Sequence, residues 1–160
     1  MKKIGQIEGV PIYHGHDEQG REIIRFIAKA AICCDGMPKN IYGDPHYQRG
    51  TAYYNNGKYL NADKVPYIVV PPFIVSAVDG VIMGTEAQAE NTLNHMITDA
   101  ITGEKGPPDK LGEMSCECAR RVGLNPNPNH GGTTEKIIRY TIFIDEAAIV
   151  DGIKYKLQPS

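Results

Sequence analysis

The stretch IIRYTIFI at residues 137–144 decides the fold class, because β-branched and aromatic residues fill most of its positions. Such residues favour extended backbone, so a long strand is predicted here. The stretch VPYIVV at 65–70 is flanked by prolines and predicts a buried strand. Residues 4–13 and 21–32 are joined by the polar turn GHDEQG at 15–20, which predicts a hairpin.

Weaker patterns complete the predicted secondary structure. Shorter strands are predicted at 73–78, 80–83 and 93–101, and a short closing segment at 148–157. One main helix is predicted after the prolines at 107–108. Asp109 is its candidate N-cap, and Gly123 stands where a C-cap glycine is expected.

The composition points to one β-rich, loop-rich domain over residues 1–160. Hydrophobic residues make up 41% and charged residues 22% of the 160, which excludes an intrinsically disordered chain. The 17 glycines and 11 prolines are too many for a helical bundle. The net charge is −2 and no basic stretch occurs, so a nucleic-acid partner is not expected.

The N-terminus MKKIGQIEGV lacks the apolar core of a signal peptide. No apolar run is long enough to span a membrane either. The protein is therefore expected to be soluble, monomeric and cytoplasmic as synthesised, and any export would need a non-standard route.

The four cysteines form two close pairs, Cys33-Cys34 and Cys116-x-Cys118. Zinc ligands usually stand two to four residues apart, so neither pair has the spacing of a metal site. No phosphate-binding glycine loop or cofactor motif occurs, and neither a metal nor a cofactor is expected. Buried free thiols are the simplest interpretation.

Glu104 and Glu113 are the candidate catalytic residues, since both stand in glycine-rich backbone beside the predicted helix start. Two carboxyl groups about 6.5–9.5 Å apart, one protonated and one ionised, are the equipment of an inverting glycosidase. Acidic residues also favour a helix N-terminus without any chemistry, so that alternative stays open. Asp35 precedes Gly36 and Asp44 precedes Pro45. Asp-Gly and Asp-Pro are ordinary turn formers, so a role in turns alone is the alternative to a functional role for both residues.

Several collinear segments resemble the fungal-type chitosanases of glycoside hydrolase family 75. They are CDG at 34–36, Asp44, Gln48 and Thr51, LNADKVPYIVVP at 60–71, residues 84–88, GEKGP at 103–107, LGEMS at 111–115 and the glycines 131–132. The resemblance spans roughly residues 30–145.

The resemblance implies endo-hydrolysis of β-1,4-linked glucosamine with inversion. Glu113 matches the glutamate of the family, and Glu104 stands where the family has an aspartate. We expect Glu113 to be the general acid and Glu104 the residue that activates water, and the reverse assignment stays open as the alternative. The residues expected to bind the glycan are Asp35, Asp44, Gln48, Thr51, Asp63 and Tyr67. Analogy with other small carboxylate-pair hydrolases implies a six-stranded barrel of the double-psi type with the main helix packed on it.

Two other functions share this machinery. Peptidoglycan has a similar β-1,4 hexosamine backbone, so a cell-wall hydrolase, such as a phage lysin or an antibacterial effector, is one alternative to a chitosan substrate. The replacement at position 104 makes a catalytically impaired glycan-binding domain the other. A cysteine-dependent or metal enzyme is a third and more remote hypothesis.

Overall fold

The computed structural model describes residues 1–159, and strands dominate it. The strands are β1 (Lys2–Ile7), β2 (Val10–His16), β3 (Glu22–Cys33), β4 (Tyr54–Asn55), β5 (Lys58–Tyr59), β6 (Tyr67–Val70), β7 (Thr85–Asn91), β8 (Ile97–Lys105), β9 (Glu113–Ser115), β10 (Thr133–Ala147), β11 (Ile149–Val150) and β12 (Ile153–Lys154). The helices are α1 (Pro72–Ala77) and α2 (Cys116–Arg121). No helix within residues 1–159 has the length and apolar character to cross a membrane.

Six strands close into a barrel, as predicted. Their order is β3-β10-β7-β8-β6-β9, and β9 pairs back onto β3. Two pairs, β6–β8 and β3–β9, are parallel, and the other neighbours are antiparallel. β1 and β2 extend the sheet beyond the first half of β3. The double-psi comparison stays a prediction.

The barrel interior is filled by alternate residues of the long strands. The alternate buried positions along β3 are Ile24, Phe26, Ala28, Ala30 and Ile32. Phe26 stacks on Tyr140 of β10 with ring centroids 5.0 Å apart. The buried residues in the middle of β7 are small, Ala87 and Ala89, which leaves space for these rings.

The predicted hairpin over residues 4–32 is present, but its first segment contains an additional turn at Glu8 and Gly9. The buried strand at 67–70 and the long strand over 137–144 are confirmed. The segment 34–53 holds no strand or helix, as its turn signals indicate.

The predicted main helix is wrong at its start. Helix α2 begins at Cys116, capped by the Ser115 hydroxyl, which accepts a hydrogen bond from the Cys118 amide at 3.2 Å. Residues 113–115 are strand β9 instead, because Gly112 bends the chain onto β3 and its carbonyl accepts from the Ala31 amide at 3.0 Å. Gly112 has φ +95°, and a Cβ there would lie 2.2 Å from the Lys29 carbonyl oxygen. The helix end is confirmed, with Gly123 at φ +77° after the C-cap.

Two short strand predictions are also wrong. Residues 72–77 form helix α1, since Pro72 stands at its first turn and favours helical φ there. Residues 80–83 contain a single bridge, from Met83 to Gln158. The strand predicted at 93–101 begins only at Ile97, after a turn.

Candidate active site

Glu104 and Glu113 flank one residue across three neighbouring strands. Val69 of β6 is the register partner of Glu104 in β8 and of Glu113 in β9. Residues in register project from the same face of a sheet, and neighbouring strands lie about 4.8 Å apart. The Cα atoms of the two glutamates are therefore about 10 Å apart. The two carboxyl groups therefore share one face of the sheet.

This face is the outside of the barrel wall formed by β3, β9, β6 and β8. Ala31 continues the row of register partners next to Glu113, and Ala31 lies between the inward-facing Ala30 and Ile32. Loops around residues 34–53, 106–111 and 125–133 rise beside the wall and turn it into a groove of about 880 Å³. The carboxylates that line the groove are Asp35, Asp44, Glu104 and Glu113.

Two backbone amides fix the carboxyl group of Glu104. Its Oε1 accepts hydrogen bonds from the Ala52 amide at 2.8 Å and from the Lys105 amide at 3.0 Å. The side chain is buried, with only 6% of the residue exposed. Burial, followed by a hydrogen bond with the Asp35 carboxyl, raises the pKa of Glu104 to about 8, although the two amides act in the opposite direction.

Glu113 is more open on its groove side. Burial raises its pKa to about 7, and the negative charge of Asp35 and Asp44 adds to the shift. The positive charge of Lys110 opposes it. Gly106 lies against this carboxyl group: a Cβ at position 106 would be 3.4 Å from Oε1 of Glu113.

Asp35 is fixed by the loop that follows β3. Its Oδ1 accepts from the Gln48 amide at 2.8 Å, and its carbonyl oxygen accepts from the Tyr67 hydroxyl at 2.8 Å. Gly36 has φ +85°, and a Cβ there would lie 1.8 Å from the Leu60 carbonyl oxygen. The turn after Asp35 therefore requires glycine.

The side chain of Tyr67, which is expected from the sequence to bind the glycan, is fully buried. A buried tyrosine needs a partner for its hydroxyl, and Tyr67 finds it in the Asp35 carbonyl. Its ring has no free face for a sugar. Through this hydrogen bond, Tyr67 helps to fix the backbone of Asp35 at the groove.

The other predicted binding residues divide into two groups. Asp44 and Gln48 line the groove as expected. Thr51 is buried, and its hydroxyl donates to the Tyr53 carbonyl at 2.7 Å and accepts from the Leu60 amide at 3.1 Å. Asp63 pairs with Arg120 outside the groove lining. Neither Thr51 nor Asp63 lines the groove.

Three lysines of the groove were not predicted. Lys29 is bonded to Glu8 at 2.9 Å, whereas Lys105 and Lys110 stand exposed at the rim. Exposed lysines carry no periodic signal in a sequence, and only the proximity of Lys105 to Glu104 in the chain pointed to one of them. The groove therefore combines an acidic floor with a partly basic rim.

All four cysteines are buried and unbridged. Across residues 1–159, no three or more histidine, cysteine or acidic side chains come together in an arrangement that holds a metal ion.

A scan against protein-family models finds no match. Two curated proteins named Endo-chitosanase C, both from Aspergillus oryzae, are each 28% identical to the chain, over 130 and 134 residues. Each alignment covers 78% of this chain but only 32% or 33% of the relative, so the chain spans about a third of their length. The chain has a chitosanase-like relationship at this level of identity.

Proposed function

We propose that the protein is an endo-acting glycoside hydrolase that cleaves β-1,4-linked, glucosamine-containing polysaccharide with inversion at the anomeric carbon. The observation that carries the proposal is the placement of Glu104 and Glu113 on either side of Val69, in one groove. Both carboxyl groups have raised pKa values, as acid–base catalysis near neutral pH requires. The chitosanase relatives support the substrate class.

The electrostatics support an assignment of roles opposite to the one expected from the sequence. Glu104 keeps its proton to higher pH, with a pKa of about 8 against about 7 for Glu113. In our proposal Glu104 is thus the general acid and Glu113 the base. Asp35 acts as a positioning residue, because a protonated Glu104 donates to its carboxyl group.

The reaction then follows from this arrangement. Glu104 donates its proton to the glycosidic oxygen as the bond to the anomeric carbon breaks. Glu113 removes a proton from a water molecule that attacks the same carbon from the opposite side. The leaving chain departs with the proton of Glu104, and the product retains the oxygen of water in the inverted configuration.

The two pKa values imply a bell-shaped pH dependence. Activity rises as Glu113 ionises near pH 7 and falls as Glu104 loses its proton near pH 8. We expect the maximum of kcat between these two limbs.

Product analysis tests the proposal directly. The purified protein is incubated with soluble chitosan, and viscosity, reducing ends and the anomeric proton signals are followed. An endo-acting inverting enzyme lowers viscosity early and releases the α-anomer first. The double variant E104Q/E113Q keeps similar side-chain shapes and serves as the inactive control. Release of the β-anomer first contradicts inversion, and no cleavage of chitosan between pH 5 and 9 contradicts the chitosanase assignment.

The lysines at the rim favour a second candidate, the glycan strand of peptidoglycan. Lys105 and Lys110 repel the ammonium groups of chitosan but attract carboxylates, which peptidoglycan carries on its lactyl and peptide substituents. The double variant K105A/K110A separates the candidates. A peptidoglycan hydrolase loses activity on this change, whereas a chitosanase keeps or gains it.

A further inference from the structure

We propose that Cys34 and Cys116 form a peroxide-sensitive pair, which oxidation converts into an intramolecular disulfide beside the groove. Their Sγ atoms are 3.4 Å apart, although the two residues are separated by 82 positions in the chain. Both residues are fully buried. This inference does not depend on the proposed hydrolase activity.

Cys34 and Cys116 directly follow the paired ends of two strands. Cys33 and Ser115 are the last partners in the parallel pair β3–β9, so Cys34 is the first residue after β3 and Cys116 is the first residue of α2. Residues in register on neighbouring strands have Cα atoms about 5 Å apart. The spacing of the strand ends lies within the Cα range of about 4.4–6.8 Å that a disulfide requires. To form the bond, the Sγ atoms of Cys34 and Cys116 must approach from 3.4 Å to about 2.05 Å.

The other two cysteines are held differently. The Cys33 thiol accepts a hydrogen bond from the Tyr67 hydroxyl at 3.4 Å, and burial raises its pKa. Cys118 is fully buried on α2, where burial raises its pKa to about 12. Neither offers a reactive thiolate. Cys116 differs from both, because the hydrogen bond with Cys34 and the positive charge of Arg120 lower the pKa of its thiol.

The chemistry requires a small oxidant, and hydrogen peroxide is close to water in size. The Cys116 thiolate attacks one peroxide oxygen, the O–O bond breaks, and a sulfenic acid and one water molecule result after proton transfer. The Cys34 sulfur then attacks the sulfur of the sulfenic acid and releases a second water molecule. In total, two thiols and one peroxide give one disulfide and two water molecules.

The disulfide would join two segments of the candidate site. Cys34 directly precedes Asp35, and Cys116 follows Glu113 by three residues at the start of α2. A crosslink across such a long separation restricts the unfolded chain, so the oxidised protein should unfold at higher temperature.

The experiment treats the purified, reduced protein with stoichiometric peroxide, then alkylates the remaining thiols and maps the peptides by mass spectrometry. We expect the four free thiols to fall to two and a peptide linked through Cys34 and Cys116 to appear. The Tm should rise by about 5 °C or more and return on treatment with dithiothreitol. The C118S variant is the matched control and should respond like the wild type.

The C34S and C116S variants should show neither the linked peptide nor the rise in Tm. The map of the wild type decides the matter even if one variant fails to fold. Four thiols that persist, a link between any other two cysteines, or oxidation of Cys116 to sulfinic acid without pairing would each overturn the proposal.

Discussion

Two glutamates on different walls of the barrel have similar proton affinities but different surroundings. Glu113 lies in the groove of about 880 Å³, and Glu86 of β7 lies in a smaller cavity of about 210 Å³. Burial raises the pKa of each to about 7. A raised pKa therefore identifies a buried carboxyl group and does not by itself identify a catalytic one.

The residues around Glu113 and Glu86 distinguish the groove from the smaller cavity. Glu113 faces Glu104 across Val69, whereas the register partner of Glu86 on β8 is Ile101, which is buried. One oxygen of Glu86 accepts from the Ile149 amide at 3.3 Å, and the other has no hydrogen-bond partner among residues 1–159. Asp99 and Glu146 also line the cavity of Glu86, but that cavity has only about a quarter of the volume of the groove that holds Glu104 and Glu113.

The strongest test of this comparison exchanges each carboxylate for an amide. E113Q removes the proposed base and should lower kcat on the glycan substrate by about 10²–10⁴-fold. E86Q makes the same chemical change at a group with a similar pKa and should leave kcat within about twofold of the wild type. Initial rates of reducing-end release measure both. Equal losses in the two variants would mean that the groove is not the site of catalysis.

Asp35 offers a finer test, because it raises the pKa of both Glu104 and Glu113. D35N removes that negative charge, so both limbs of the pH–rate profile should shift to lower pH. We expect kcat at pH 7.5 to fall by about 10–100-fold, since Glu104 then holds its proton less firmly. The profile of kcat against pH, measured in steps between pH 5 and 9, checks this.

D44N is the matched control for D35N. Asp44 contributes to the shift of Glu113, and its Oδ1 accepts from the His46 amide at 2.9 Å, which asparagine can also do. In D44N the acidic limb of the pH–rate profile should shift to lower pH, and the alkaline limb should shift less. A D35N profile identical in shape and position to the wild type would contradict the positioning role of Asp35.

A substitution at Gly106 tests whether the exact position of the Glu113 carboxyl group matters for catalysis. A Cβ there would lie 3.0 Å from Cγ1 of Val69 and 3.4 Å from Oε1 of Glu113. G106A should displace the Glu113 carboxyl by a few tenths of an ångström and lower kcat by about tenfold or less. G20A has no atom within 4 Å of the added Cβ but places alanine at φ +81°, so it should lose Tm through backbone strain and keep full kcat. If G106A loses Tm but retains full kcat, the contact with Glu113 has no catalytic role.

The sequence predicted the barrel better than it predicted the site. Stretches such as 67–70 carry enough β-branched residues to specify a strand locally. Strand β7, TEAQAEN, was not predicted, because its alanines and glutamates have weak strand propensity and tertiary pairing with β8 and β10 decides its conformation.

The same limit applies to the site residues. Glu104 and Glu113 were identified because they stand in recognisable glycine-rich motifs, and their joint register with Val69 depends on strand order, which the local pattern does not contain. Tyr67 and Asp63 illustrate the converse: both have side chains suited to sugar binding, but Tyr67 is buried and Asp63 pairs with Arg120, which the local sequence does not reveal.

The smallest expected effect is on stability and concerns Glu86. Its pKa is about 7 in the folded state and about 4.5 in the unfolded chain, so the folded state binds the proton more tightly. Stability must therefore decrease as pH rises from about 4.5 through 7, and E86Q should remove that dependence. Denaturant unfolding measures the difference in unfolding free energy between E86Q and the wild type. This difference should favour E86Q by roughly 1–2 kcal/mol more at pH 8 than at pH 4, a figure that allows for partial exposure of the side chain. E113Q should show a gain of the same sign, because burial also raises the pKa of Glu113, and its proposed role as the base predicts that this gain comes together with a loss of activity.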